Sequence, residues 1–432
     1  MRERVTVIGA GLAGCEAAFV LAERGIPVCL LEMKPEKRSP AHRSNGFAEL
    51  VCSNSLRSNK LLNAVGLLKE EMRLLGSLVV KIADETRVPA GDALAVDREA
   101  FSEKITSIIK EHPLIQIKAE EQKTFPDPPA IIATGPLTQG EFLESIEKKL
   151  GESLHFFDAA APVVAADSLD MTKIFKASRY GKGSDYLNCA MDRDEYFAFL
   201  NALKEAETVP LKEFETLKVF EGCMPIEVMA LRGDMSLAFG PLKPVGLFDP
   251  RMNGRPFAVV QLRQDDSAAS MYNMVGFQTN LKFSEQKRVF SMIPGMENAE
   301  FIRYGVMHRN TFLNSPGKLT CDYELIGHRG IYFAGQITGV EGYVESAASG
   351  LLAALSMSRR IQGLDLPDFT RETAIGALGH YVSEYNGPDF QPMNITFGIM
   401  TPPERRFKNK KERNTAMAER ALKKINQLLG EF

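Results

Sequence analysis

The stretch from Val5 to Glu32 constrains this chain most. Val5-Thr6-Val7-Ile8 reads as a short buried strand, and Gly9-Ala10-Gly11-Leu12-Ala13-Gly14 follows at once, opening a helical run to Arg24. Gly25 suits the position just past a helix end, where a left-handed residue is favoured. A second apolar run, Pro27 to Leu31, ends at Glu32, 18 positions after Gly14. This is a GxGxxG loop between strand and helix with an acid behind it, the pattern of a βαβ dinucleotide site. Gly9 and Gly11 allow a tight turn and a close approach of backbone to pyrophosphate, and Gly14 lets helix and strand pack closely. The helix N-terminus offers N–H donors and partial positive charge to phosphate. Glu32 is expected to accept hydrogen bonds from the adenosine ribose.

Two later segments say which dinucleotide. Ala130-Ile131-Ile132-Ala133-Thr134-Gly135 is a strand running into Ala-Thr-Gly. Ile331 to Gln336 is another strand, followed by Gly339-Val340-Glu341-Gly342-Tyr343 and a small-residue helix from about Val344 to Ser356. Both resemble the accessory motifs of two-part FAD proteins, in which the late loop holds the flavin end and the next helix points its N-terminus at the ring. That resemblance implies flavin contacts at Gly335, Gln336, Gly342, Tyr343 and Val344. Asp97, a good N-cap, precedes a helix start that such proteins also carry. No second GxGxxG is present: Gly135 to Gly140 has the wrong spacing. A nicotinamide reductant is therefore expected to visit without a domain of its own.

A chain of 432 residues exceeds one ordinary core. The pattern changes between about residues 166 and 324. Charged helical stretches (193–205, 211–218) there alternate with strand-like runs (256–262, 272–278). The expected architecture is α/β, a Rossmann-like FAD-binding domain in two parts, 1–165 and 325–432, around an inserted α/β domain, 166–324. Net charge is −3, so any polyanion must be held by a local patch. One exists: from Glu404 to Lys424 there are nine Lys/Arg against three Glu. Such a cluster can track phosphates or form the solvated face of a terminal helix. No apolar run approaches the roughly 20 residues that cross a bilayer, and no signal-peptide h-region is present, so cytoplasmic residence is the expectation.

The six cysteines lie far apart with no CxxC pair, which argues against both a disulfide framework and a zinc site. Cys52 ends a short apolar run before Ser53-Asn54-Ser55, and Cys223 sits between Gly222 and Pro225. Thiols at turns are the exposed, reactive kind, whereas Cys29, inside an apolar run, reads as core. Arg57 is the cation nearest to Cys52 in sequence. Spacing alone does not bring Cys52 and Cys223 together.

Longer strings carry a family resemblance. They include Phe47–Ser55 (FAELVCSNS), Val88–Arg98 (VPAGDALAVDR), Phe220–Glu227 (FEGCMPIE), Arg303–Thr311 (RYGVMHRNT) and Gly339–Ala347 (GVEGYVESA). In that order the chain resembles, almost end to end, the folate- and flavin-dependent tRNA (uracil-5-)-methyltransferases of bacteria. Asp92 departs from the pattern, where a second glycine is expected. The resemblance implies methylation at C5 of a T-loop uridine of tRNA. It also implies 5,10-methylenetetrahydrofolate as carbon donor and FAD reduced by NADPH or NADH. It makes Cys52 and Cys223 the nucleophile and acid/base pair, with Cys223 favoured as nucleophile. Tyr343 and His308 are candidates to stack on pterin or uracil. Arg309 is a candidate for the folate glutamate carboxylate, and Arg405, Arg406, Lys410 and Lys411 for RNA phosphates. Nothing in the sequence calls for an obligatory protein partner. Three alternatives stay open: a flavin oxidoreductase of small molecules, a tRNA-binding flavoprotein without catalysis, and a paralogue acting on ribosomal RNA.

Overall fold

The computed structural model describes residues 4–210, 224–250, 255–365 and 367–431. Cys223 and the expected helix at 211–218 lie outside the described residues. Five strands form one parallel sheet in the order Ile331–Phe333, Ala130–Ile132, Val5–Ile8, Val28–Glu32, Ile115–Ala119. A parallel sheet is covered on both faces, which is why its inner strands read as continuous apolar runs. All five residues of Val28–Glu32 are buried. The neighbours of Val5–Ile8 lie on opposite sides of it, so its carboxyl end is a switch point, the crevice where such sheets bind ligands.

The first helix, Leu12–Glu23, leaves that switch point and packs on the late helix Tyr343–Ile361. Small residues make the approach possible. A Cβ on Gly350 would lie 2.3 Å from the carbonyl oxygen of Ala13, and one on Gly14 would lie 1.8 Å from that of Gly9. The late helix runs past the expected end at Ser356 to Ile361. Asp97 caps the helix Arg98–Glu111 as expected, its Oδ1 accepting the Ala100 N–H at 3.1 Å.

A second sheet is antiparallel and six-stranded, in the order Ile174–Lys176, Tyr186–Met191, Ala258–Gln264, Met271–Met274, Val163–Ala165, Phe301–Arg303. The expected start of the insertion at 166 falls just after Val163–Ala165, a strand that already belongs to this sheet. Strand pleat sends alternate side chains to opposite faces. Along Ala258–Gln264, Ala258, Val260 and Leu262 enter a core with Tyr196, Phe199 and Leu200 of the helix Arg193–Lys204. Gln261 and Arg263 take the other face and bond Asn188 and Asn54. A two-stranded ribbon, Leu154–Ala159 against Met307–Phe312, flanks this sheet in sequence.

A short antiparallel sheet of Ser55–Ser58, Ala93–Val96 and Arg87–Val88 carries the chain away from Cys52. The last helix, Lys410–Leu429, is capped by Asn409, and Asn414 donates to the Leu62 carbonyl at 3.0 Å. Among the described residues no helix is long and apolar enough to cross a membrane.

Candidate active site

A deep cleft opens at the switch point. Gly9 to Ala13, Glu32, Lys34, Thr134, Gly335, Gln336 and Tyr343 line it, and it encloses about 1340 Å³ of empty space, open solvent included. Its floor is backbone. Gly9 has φ +96°, and a Cβ there would meet the Ala133 carbonyl oxygen at 2.6 Å, so only glycine fits. Gly11, at the N-cap of the first helix, has nothing within 4 Å of its Cβ position and faces open cleft. That cradle of backbone at a helix N-terminus suits a pyrophosphate. Glu32 has a structural task in the loop. Its Oε2 accepts the Ala10 N–H at 2.7 Å and its Oε1 that of Lys34 at 3.0 Å, which pins the glycine loop. One lone pair on each oxygen is left for a ribose hydroxyl.

At the other end, Tyr343 reaches from the start of the late helix to Cys52. Its hydroxyl oxygen accepts the N–H of Cys52 at 2.8 Å and of Ser53 at 3.2 Å, and lies 2.9 Å from Cys52 Sγ. Two accepted hydrogen bonds fill the phenol oxygen, so its own proton points at the sulfur. Burial, then the negative charge of Asp158, pushes the Cys52 thiol up to about 12, with the Tyr343 hydroxyl and Arg98 pulling the other way. Burial and Asp158 also raise Glu341 to about 8; its carboxyl accepts from Gln336 Nε2 at 2.9 Å. Cys52 therefore holds its proton at neutral pH.

Two buried guanidinium groups bracket the Cys52 loop. Arg98 donates to the Leu50 carbonyl and forks Asp265 at 2.8 and 3.2 Å. Arg263 donates to Ser53 Oγ at 2.8 Å and to Asn54 Oδ1 at 3.0 Å. Sequence reasoning missed both, because they come from segments remote from Cys52 in the chain. Arg57, the cation nearest in sequence, pairs instead with the buried Glu345.

The other expected residues fall into groups. Gly14 supports the loop from behind, and Val344 is buried in the core. Gly342 takes φ +108°, with its Cβ position 2.5 Å from Glu345 Oε2, so it shapes the start of the late helix. His308 is half-buried, and burial first, then the neighbouring His42 and Arg43, lowers its pKa, which keeps the ring neutral. Arg309, the next residue on the same strand, lines a separate groove with His155, Phe157 and Tyr385. Arg405, Arg406, Lys410 and Lys411 are exposed around the start of the last helix, where the Arg405 guanidinium lies 4.6 Å from the Phe407 ring centre.

Known proteins resemble this chain in sequence and fold. Residues 4–365 match the family model described as glucose inhibited division protein A. Over all of both chains, the sequence is 56% identical to a methylenetetrahydrofolate–tRNA-(uracil-5-)-methyltransferase TrmFO of Listeria monocytogenes and 57% identical to one of Acetivibrio thermocellus. Among solved structures, GidA of Aquifex aeolicus superposes with a TM-score of 0.69 at 16% identity, over 98% of this chain and 73% of that one. That likeness shows a shared fold: a Rossmann-like α/β flavoprotein architecture. The chain belongs to the glucose inhibited division protein A family, among its methylenetetrahydrofolate–tRNA-(uracil-5-)-methyltransferase relatives.

Proposed function

We propose that this protein methylates C5 of a uridine in the T-loop of tRNA. The carbon comes from 5,10-methylenetetrahydrofolate, and FAD sits in the glycine-lined cleft with NADPH or NADH as reductant. The observation that carries the reading is the sulfur at the flavin end: Cys52 Sγ stands 2.9 Å from the hydroxyl of Tyr343, a residue lining that cleft. The relatives' printed names give the reaction class, tRNA and the folate. When bound, FAD supplies the redox chemistry that turns a methylene carbon into a methyl group.

The residues of this chain do the rest. Uracil C5 is a weak nucleophile until a thiolate adds at C6. We assign that addition to Cys223: the C6–S bond forms and the C5–C6 π pair moves toward C5 and O4. C5 then bonds the methylene carbon while the π pair of that carbon's C=N+ bond returns to nitrogen; the remaining C–N bond would give way to C–H through the reduction that bound FAD would supply. The C5 proton passes to Cys52, and the electron pair of the broken C–H bond restores the double bond and expels the Cys223 sulfur. Cys52 keeps its proton at rest, so it must first release that proton to solvent; the thiolate so formed is a strong base, and the Tyr343 hydroxyl offers it a hydrogen bond. The neutral His308 ring and the Tyr343 ring are the surfaces assigned to pterin and uracil.

Arg405, Arg406, Lys410 and Lys411 are assigned to RNA phosphates. Lys410 and Lys411 occupy the first turn of a helix, where positive charge opposes the macrodipole. A position unfavourable to the helix is favourable to an anion that both can attract. The test is a nucleoside analysis of tRNA incubated with the purified protein, omitting folate, NAD(P)H and S-adenosylmethionine in turn. 5-Methyluridine should vanish without folate or NAD(P)H and persist without S-adenosylmethionine. Formation that depends on S-adenosylmethionine would refute the reading.

A further inference from the structure

We propose that Arg263 is a positioning residue for Cys52: from the strand Ala258–Gln264 of the second sheet it holds Ser53 and Asn54 and so sets the sulfur against Tyr343. The contacts form one continuous chain. Arg263 Nη2 donates to Ser53 Oγ at 2.8 Å and Nε to Asn54 Oδ1 at 3.0 Å. Asn54 Nδ2 in turn donates to the Val96 carbonyl at 3.0 Å and the Gln264 carbonyl at 2.8 Å, so the loop is tied to both parts of the molecule. The Ser53 N–H then meets the Tyr343 oxygen that faces Cys52 Sγ.

Stability alone does not account for an arginine here. Arg263 is 7% exposed, and its hydrogen-bond acceptors among the described residues, on Ser53, Asn54 and Asn273, are all neutral. The neighbouring carboxylate, Asp265, is forked by Arg98. Burying a guanidinium without an anion is costly, and an apolar side chain of similar volume would serve a core better. What the fork supplies is a fixed two-point grip on consecutive residues after the cysteine, which a lysine does not reproduce. The charges facing Cys52 are then Asp158 and Glu341 against Arg98, with the Tyr343 hydroxyl between. Loosening the loop removes the hydroxyl from that balance and leaves the carboxylates.

This inference rests on the reading of Cys52 as the acid/base group, and labelling of the thiol tests it without methyl transfer. The holo-protein and the variants Arg263→Met, Arg263→Lys, Tyr343→Phe and Arg263→Met/Tyr343→Phe are alkylated at one mildly alkaline pH. Cys52 modification is read by peptide mass spectrometry. Val260→Ala, on the core face of the same strand, controls for lost sheet stability. Arg263→Met and Tyr343→Phe should each slow Cys52 labelling about tenfold, the equivalent of one unit in thiol pKa. The double variant should be no slower than Tyr343→Phe, because both act through one contact. Arg263→Lys should recover part of the rate, and Val260→Ala should stay within about twofold of wild type. In the methylation assay Arg263→Met should lower kcat with KM for tRNA little changed. Labelling of Arg263→Met equal to that of Val260→Ala, faster than wild type, or multiplying with Tyr343→Phe would overturn the proposal. Absence of methylation by the wild type would overturn the functional reading and leave the labelling result standing.

Discussion

Gly11→Val separates cofactor binding from folding more sharply than any other change in the glycine loop. Gly11 has φ −76° and ψ −170°, ordinary for an L residue, and no atom lies within 4 Å of its Cβ position. Valine there projects into the cleft and meets no protein. The loss of a glycine N-cap costs about 1 kcal/mol. The cofactor should suffer far more, because the added methyl groups would stand over the N–H donors proposed to receive the pyrophosphate. Two lost charge-assisted hydrogen bonds, at about 1.5–3 kcal/mol each, amount to about 3–6 kcal/mol, or roughly 10²–10⁴ in affinity. The assay is flavin absorbance per chain after purification, with circular dichroism and a thermal melt of the same sample. We expect a colourless, folded protein whose melting point falls chiefly by the lost ligand stabilisation. Gly14→Ala should instead fail to fold, since its Cβ would lie 1.8 Å from the Gly9 carbonyl oxygen. A Gly11→Val protein that keeps its full flavin complement would refute the placement of the pyrophosphate.

Cys52→Ala and Cys223→Ala should each abolish uridine methylation while retaining bound FAD, as nucleoside analysis and absorbance would report; full activity in both would remove the thiol mechanism. Reversing the charges of Arg405, Arg406, Lys410 and Lys411 should weaken tRNA binding and reduce the slope of log affinity against log salt by about one for each phosphate no longer neutralised. Unchanged salt dependence would make the segment solvated surface. Burial, then the charge of Arg57, lowers Lys69 from 10.5 to about 7. Between those values the unfolded chain holds the extra proton, so this group's contribution makes stability rise with pH across that window. Denaturant titrations should show Lys69→Met removing that rise, and an unchanged pH slope would contradict it.

The parts of this molecule that were legible in the sequence are those in which local chain chemistry decides the outcome. The glycine loop, the Ala130–Ile132 and Ile331–Phe333 strands and the Asp97 cap are set by residues within a few positions of one another. The bend at Cys52 was legible, but the exposed, readily ionised thiol expected there is half-buried and burial pushes its pKa up. What was not legible is the matching of remote segments. Arg98 and Arg263 reach the Cys52 loop across 48 and 210 residues, through pleat and register that one sequence does not display. Arg57, five positions from Cys52, is turned aside by a left-handed φ of 60° and taken up by Glu345. His308 and Arg309 part company for a simpler reason, since neighbours on a strand face opposite ways. Asp92, a departure from the family pattern, joins Lys60 and Lys182 at 2.7 and 2.6 Å, a pairing of residues far apart in sequence.

In the proposed reaction a folate carbon reaches uracil through the chemistry assembled around Cys52 and the dinucleotide cleft. The direct measurement supplies 5,10-methylenetetrahydrofolate labelled in its methylene carbon to the holo-protein with tRNA and NAD(P)H, and follows the label. The label should appear in the methyl group of 5-methyluridine, and be absent from tRNA when Cys52→Ala replaces the wild type. Oxidation of NAD(P)H that proceeds without RNA while the label stays in the folate would contradict it.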